Sequence, residues 1–117
     1  MNRRRDERYS PLEAIYIETD LEGTPCRGTI RDLSLRGMGV QFPGLTGDQY
    51  GALRALDEFF LKIYIGEDFI IAGVKAVWRS HITTEEGFTY RGGMVFTIVA
   101  QEDMLRISTL VHELRNS

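Results

Sequence analysis

Residues 59–78 read FFLKIYIGEDFIIAGVKAVW. Apolar side chains occupy every second position in each half of this stretch, first from Phe59 to Ile65 and then from Ile70 to Trp78. Alternation with a period of two is typical of strands that bury one face. The glycine in Gly66-Glu67-Asp68 separates the halves and indicates a tight turn. The stretch therefore predicts an antiparallel hairpin and a fold rich in β-structure.

Four further segments on either side of the hairpin carry strand signals, namely β-branched or aromatic enrichment or alternating apolar positions. They lie at residues 12–19, 26–32, 38–42 and 88–98. Between them, residues 20–25 indicate a turn, and residues 43–57 indicate a long connection with a short helix near 52–57. Six alternating strands favour a closed or nearly closed antiparallel barrel, because closure leaves no sheet edge exposed.

The period of the apolar pattern changes at the C-terminus. Met104, Ile107, Val111 and Leu114 recur at three- and four-residue spacing, which predicts one apolar face of a helix over residues 101–115. We therefore expect a fold dominated by β-structure, a six-stranded antiparallel β-barrel with a C-terminal α-helix. The expected single domain, 1–117, divides into a flexible, unburied N-terminal arm at 1–11, the barrel at 12–98 and the helix.

The bulk properties limit what the protein can bind. The chain has 117 residues, a formal net charge of -3 and a pI of about 5.4. General binding to nucleic acid polymers is disfavoured, because such domains are usually basic. Cys26 is the only cysteine, which excludes an internal disulfide and agrees with a cytoplasmic location. No apolar run is long enough to predict a membrane span.

Two short polar motifs are the strongest functional signals. Residues 4–8, Arg-Arg-Asp-Glu-Arg, place Arg4 and Arg8 four residues apart in a basic arm. Residues 32–37, Asp-Leu-Ser-Leu-Arg-Gly, follow a predicted strand. Each motif is weak alone, since the first is an ordinary charge run and the second has the composition of a plain turn. Together, and in this order, they are more specific.

In order and spacing the two motifs resemble the signature of the PilZ domain, a bacterial receptor for cyclic di-GMP, which reads R-x-x-x-R followed by [D/N]-x-S-x-x-G. The chain matches the pattern at every fixed position. The strand end at 76–78 and the strand at 91–96 also resemble the family. The resemblance implies that the ligand is held by Arg4, Arg8, Asp32, Ser34 and Gly37.

The chemistry of these residues suits such a ligand. A guanidinium can grip phosphate oxygens in a two-pronged pair, and it can donate to O6 and N7 of guanine or stack on the purine. Asp32 can accept from guanine N1 and N2 or hold an arginine in place. Ser34 can donate or accept at short range. Gly37 either adopts a positive φ or lets the ligand approach the backbone.

Neighbouring arginines can add to this site. The family resemblance implies that an arginine at the position of Arg3 favours two stacked dinucleotides, although simple solubility explains it equally well. Arg5 and Arg36 are possible additional ligand contacts. Arg31 flanks the second motif and can equally be ordinary strand surface.

Other reactive residue types do not form a recognisable site. Trp78 can stack on a base, but the pattern favours a core or barrel-rim position for it. His81 and His112 lie in separate elements, without a carboxylate or cysteine at metal-ligand spacing. We see no P-loop, nucleophile elbow or metalloprotease motif. We therefore expect no enzyme activity, no metal and no cofactor beyond the dinucleotide ligand.

The expected function is a cyclic di-GMP receptor or adaptor that orders its arm on ligand binding and signals to an unidentified effector protein. An alternative is a PilZ-fold adaptor that works by protein contact and does not bind nucleotide. A hydrolase that uses Asp32 and Ser34 is a third reading. The sequence does not identify the output, the partner, the stoichiometry or the oligomeric state.

Overall fold

A closed six-stranded barrel forms the body of the protein. The computed structural model describes residues 7–116. The barrel closes in the order β1-β2-β3-β6-β5-β4, and all neighbouring pairs are antiparallel, which confirms the predicted fold. The elements, in chain order, are β1 (Tyr16–Leu21), β2 (Thr24–Leu33), β3 (Gly37–Leu45), α1 (Gly47–Arg54), β4 (Glu58–Ile65), β5 (Asp68–Thr84), β6 (Gly87–Val99) and α2 (Gln101–Arg115).

The hairpin predicted from residues 59–78 is present as β4 and β5. Leu61 pairs with Ala72 and Ile63 pairs with Ile70 across the two strands, and all four side chains are buried. Gly66 has a φ of +62° in the connecting turn, a conformation that glycine adopts without steric cost. The alternating apolar residues of the hairpin therefore fill the barrel interior.

Two irregularities in the pairing of β5 with β6 overturn the simple alternation. The pairing skips Val77 on β5 and Thr97 on β6. Each of these bulges turns the residues that follow it to the other face of the barrel wall. Trp78 is therefore 47% exposed on the outer wall, not in the core, and Ile98 is 66% exposed. Since β5 continues to Thr84, Trp78 also lies within a strand and not at its end.

The predicted long connection over residues 43–57 is more ordered than expected. Strand β3 continues to Leu45, and α1 begins earlier than predicted, at Gly47. Thr46 caps this helix, because its hydroxyl accepts from the Gln49 backbone while the Gln49 side chain accepts from the Thr46 backbone. Thr-x-x-Gln is a capping-box sequence and was the signal that could have placed the helix start. Leu53 anchors the helix in the core.

The C-terminal helix follows the predicted apolar face. Ile107 and Val111 are buried within the same apolar cluster as the barrel interior. Arg106 adds an ion pair, 3.0 Å from its Nη2 to Oδ2 of Asp68 at the start of β5. The helix is thus fixed against the barrel by buried side chains and one partly exposed ion pair. Within the described part of the chain, no helix combines the length and apolar character that crossing a membrane needs.

Candidate functional site

The last part of the N-terminal arm is held against strand β2. Tyr9 and Leu33 form an antiparallel bridge, with N–H to carbonyl distances of 2.9 and 3.0 Å. Tyr9 is half-buried and packs against the core, so the expectation that nothing in residues 1–11 is buried is wrong at this position. Because the bridge is antiparallel, Arg8 lies opposite Ser34, and Asp32 is its diagonal neighbour on the facing strand.

That pairing joins the two motifs. Nη1 of Arg8 lies 2.9 Å from Oδ1 of Asp32, although 24 residues separate them in the chain. The same carboxylate oxygen accepts from the backbone N–H of Gly39 at 3.0 Å. The side chains of Arg8 and Asp32 are 38% and 28% exposed, so the pair remains open to solvent. Arg3, Arg4 and Arg5 lie outside the described residues.

Ser34 shapes the turn between β2 and β3. Its hydroxyl accepts from the backbone N–H groups of Arg36 and Gly37, each at 3.2 Å, and lies 3.3 Å from the Gly37 carbonyl oxygen. The backbone N–H of Ser34 donates to the same carbonyl at 2.9 Å. Because Ser34 is 1% exposed, its hydroxyl serves the turn and is not displayed on the surface.

Gly37 is required by the packing of β3 against β6. Its φ lies outside the left-handed region, which excludes the first of its two expected roles, a positive φ. A Cβ at this position would overlap the backbone carbonyl oxygen of Met94 on β6. The absence of a side chain thus lets two strands meet directly behind the Ser34 turn.

Two more glycines, Gly39 and Gly93, leave room on the outer wall for the side chains of Asp32 and Trp78, which cover them. The cross-strand pairs Asp32–Gly39, Gly39–Gly93 and Gly93–Trp78 form one row across β2, β3, β6 and β5. We call these four residues the glycine row. A Cβ on Gly39 would lie 2.8 Å from Oδ2 of Asp32, and a Cβ on Gly93 would overlap the indole of Trp78.

The row therefore brings a carboxylate and an indole close together. Each side chain leans over the neighbouring glycine, and adjacent strands are about 4.8 Å apart. Asp32 and Trp78 therefore lie at the two ends of the row, with only β3 and β6 between them. Neither glycine was predicted as part of the site, and for Trp78 the sequence favoured a core or barrel-rim position over a stacking role. The pattern gave no signal, because the row depends on the bulge that precedes Trp78.

On the other side of the turn lies a groove. It has a volume of about 520 Å³ and is formed by the turn, by β6 and by the start of α2. Leu35 is exposed at its rim, and the Arg36 carbonyl accepts from the backbone of Phe96 at 2.8 Å. The turn that carries Ser34 thus separates the glycine row from a partly apolar groove.

The remaining reactive residues are placed away from this site. Cys26 is buried in the barrel, which agrees with its predicted packing role, and burial raises the pKa of its thiol. His81 lies 5.1 Å from the Tyr50 ring and 6.1 Å from Phe88, measured between ring centroids. Over residues 7–116, no group of three or more potential ligand residues could hold a metal ion.

Known structures share this fold. The chain is similar to the PilZ domain of YcgR from Escherichia coli with c-di-GMP, with a TM-score of 0.70, 16% identity, and coverage of 94% of this chain and 89% of that chain. It is also similar to the MrkH–c-di-GMP complex of K. pneumonia, with a TM-score of 0.70, 18% identity and 97% coverage of this chain.

The chain spans 53% of that MrkH chain, about half of its length. A third similar structure is the PilZ domain of CeSA from a cellulose-synthesizing bacterium, with a TM-score of 0.54, 18% identity, and coverage of 93% and 98% of the two chains. At these identities the similarity shows the fold alone. No curated protein sequence matches the chain.

The family comparison covers nearly the whole sequence. The family model of the PilZ domain matches residues 2–113, which include the arm, the barrel and most of α2. The resemblance first suggested by Arg4, Arg8, Asp32, Ser34 and Gly37 is thereby confirmed at the level of the family. The chain belongs to the PilZ domain family.

Proposed function

We propose that the protein is a cyclic di-GMP receptor that orders its N-terminal arm on ligand binding and signals to a partner protein. The single observation that carries this proposal is the 2.9 Å contact between Arg8 and Asp32. It joins the two sequence motifs at one point on the outer wall of the barrel. Membership of the PilZ family and the fold shared with c-di-GMP-bound PilZ structures support the proposal.

The proposed ligand contacts use groups that remain accessible. Arg8, together with Arg4 from the arm, grips phosphate oxygens or guanine acceptors. Asp32 accepts from guanine N1 and N2, and Trp78 offers its half-exposed indole to a purine. Ser34 and Gly37 act by shaping the turn, since the hydroxyl is buried and the glycine meets Met94.

The proposed output is a changed surface, not a reaction. A ligand that draws the arm onto the glycine row alters the face beside the turn, and the groove next to Leu35 and α2 is available to a partner. Arg36 can contribute charge to either face. We propose a cytoplasmic receptor without enzymatic activity.

Titration with cyclic di-GMP tests the proposal. Trp78 is the only tryptophan, so its fluorescence can report binding next to the glycine row, and calorimetry gives the affinity and stoichiometry independently. A hydrogen bond to a charged group contributes about 1.5–3 kcal/mol, so the Arg4→Ala, Arg8→Ala double variant should bind at least about tenfold more weakly. Full-affinity binding by this variant would contradict the role of the arm.

A second candidate is a PilZ-fold adaptor that does not bind nucleotide. The observation in its favour is that Arg8, Asp32 and Ser34 all have protein partners without any ligand. In that case the motifs stabilise the arm and the turn, and the surface is recognised as it stands. The absence of heat and of fluorescence change on titration with cyclic di-GMP would support this candidate over the receptor.

A further inference from the structure

Arg91 lies directly beside the glycine row but belongs to neither motif. It occurs two residues before Gly93 on β6, where it pairs with Gln41 on β3 and Ser80 on β5. Tyr90 and Met94 point into the barrel and are fully buried, so alternation directs Arg91 and Gly93 to the outer wall. Residues two apart on a strand are about 6.6–6.8 Å apart, which is within reach of an arginine side chain.

The guanidinium of Arg91 is incompletely satisfied by the protein. Its Nε is buried and has no hydrogen-bond partner among residues 7–116. Two other arginines of the barrel do have carboxylate partners, Arg27 with Glu18 at 3.0 Å and Arg79 with Asp57. No such partner is found for Arg91 in the described part of the chain. Arg79 has the same unpaired Nε, so the feature that distinguishes Arg91 is the lack of a carboxylate partner, which leaves its guanidinium able to turn toward an acceptor on a ligand.

The backbone positions of Asp32 and Arg91 lie in roughly perpendicular directions from Gly93, one across the strands and one along β6. The carboxylate of Asp32 lies over Gly39, whereas Arg91 is two residues before Gly93 on the same strand. A guanine seated against Trp78 presents two adjacent edges. Its N1 and N2 donors lie on one edge, and its O6 and N7 acceptors lie on the next. A carboxylate and a forked donor at a right angle match these two edges.

We propose that Arg91 reads guanine in this site by donating to O6 and N7 while Asp32 accepts from N1 and N2. Arg91 is thus a specificity residue on β6 that adds to the motif residues. This inference rests on the proposed function, because it requires the dinucleotide to bind at the glycine row. Adenine cannot satisfy the pair, since it presents a donor where guanine O6 would face Arg91.

The test combines a protein variant with a ligand variant. Calorimetry measures the binding of cyclic di-GMP and of its 7-deaza analogue, which lacks the N7 acceptor, to the wild type and to Arg91→Ala. We expect the wild type to bind the analogue about tenfold more weakly than cyclic di-GMP, equivalent to 1.4 kcal/mol. We expect Arg91→Ala to bind both ligands with the same, reduced affinity. Arg91→Lys should recover little, because it lacks the planar fork.

The control is Arg27→Ala, which removes an arginine from the outer wall of β2 that is already paired with Glu18. It should bind cyclic di-GMP as the wild type does. Binding of the analogue to the wild type is measured without any substitution. A folding defect in Arg91→Ala therefore cannot affect this measurement.

The outcomes separate the two proposals. If the wild type binds both ligands equally and Arg91→Ala weakens both, Arg91 contacts phosphate and the guanine assignment is overturned. If Arg91→Ala binds cyclic di-GMP with full affinity, Arg91 has no role, while the receptor function stands. If the wild type itself binds no cyclic di-GMP, both proposals fail.

Discussion

The Asp32 carboxylate occupies the space that a side chain on Gly39 would need. The Gly39 N–H donates to Oδ1 of Asp32 at 3.0 Å, and a Cβ on Gly39 would come within 2.8 Å of Oδ2. Gly39 therefore both holds the carboxylate and makes room for it. The orientation of Asp32, and with it the pairing to Arg8, depends on a glycine outside the family motif.

Gly39→Ala should impair the site without unfolding the barrel. The added methyl group displaces a solvent-accessible carboxylate and not the backbone, so we expect the free energy of unfolding to fall by less than about 1 kcal/mol. Binding of cyclic di-GMP should weaken at least about tenfold, because Asp32 no longer accepts from both Gly39 and the ligand. Calorimetric titration and chemical denaturation measure the two effects; unchanged affinity would show that the placement of Asp32 is not needed for binding.

Gly37→Ala should lower the stability of the barrel more than Gly39→Ala does. Its Cβ would overlap the Met94 carbonyl, so β3 and β6 must separate, which costs about 1–3 kcal/mol or more. Gly51→Ala is the matched control, since that glycine lies in α1 and a Cβ added there would meet no atom within 4 Å. It should stabilise the protein by up to about 1 kcal/mol. Thermal unfolding of both variants tests this contrast, and a fully stable Gly37→Ala would contradict the strand contact.

Arg8→Ala should separate ligand binding from stability. The Arg8–Asp32 pair is partly exposed, so its loss should cost the free protein only about 0.2–1 kcal/mol. Cyclic di-GMP affinity should nevertheless fall at least about tenfold, because the guanidinium is a proposed ligand contact. Arg27→Ala removes a similar pair with Glu18 and should leave the affinity unchanged. Equal effects of the two substitutions on binding would remove the case for Arg8 as a ligand contact.

Hydrogen exchange can distinguish the anchored part of the arm from the ligand-ordered part. The Tyr9 and Leu33 amides donate to each other's carbonyl groups, so both should exchange slowly even without ligand. Cyclic di-GMP should slow exchange in residues 2–8. Rapid exchange of Tyr9 in the free protein would contradict the bridge. Identical exchange of residues 2–8 with and without saturating ligand would argue against an ordering switch.

The buried thiol of Cys26 should make stability fall at alkaline pH. Burial raises its pKa in the folded state, so as pH rises past about 8.5 the unfolded chain loses this proton first. The contribution of Cys26 to stability is thus complete below that pH and declines above it. Denaturation between pH 7 and 10 should show a smaller decline for Cys26→Ala than for the wild type. An identical pH dependence would mean that the thiol does not contribute.

The barrel, the terminal helix and the motif residues were predictable from the sequence. Alternation over residues 59–78 predicted the hairpin correctly, because each strand buries one face. The spacing from Met104 to Leu114 predicted the helix, because residues three and four apart lie on one face of a helix and that face packs against the core. Each pattern lies within one segment of the chain, so it can be recognised without knowing which other elements pack against that segment. The motif resemblance identified the family in the same way, from five residue positions.

The assembly of the site, in contrast, depends on the folded barrel. Bulges in β5 and β6 change the face that each side chain occupies, and no local period indicates them. They place Trp78 on the outer wall, in one row with Gly39, Gly93 and Asp32. The bridge between Tyr9 and Leu33 likewise joins positions 24 residues apart. Contacts between strands distant in sequence depend on register and barrel closure, which the chain reaches only when all six strands pair.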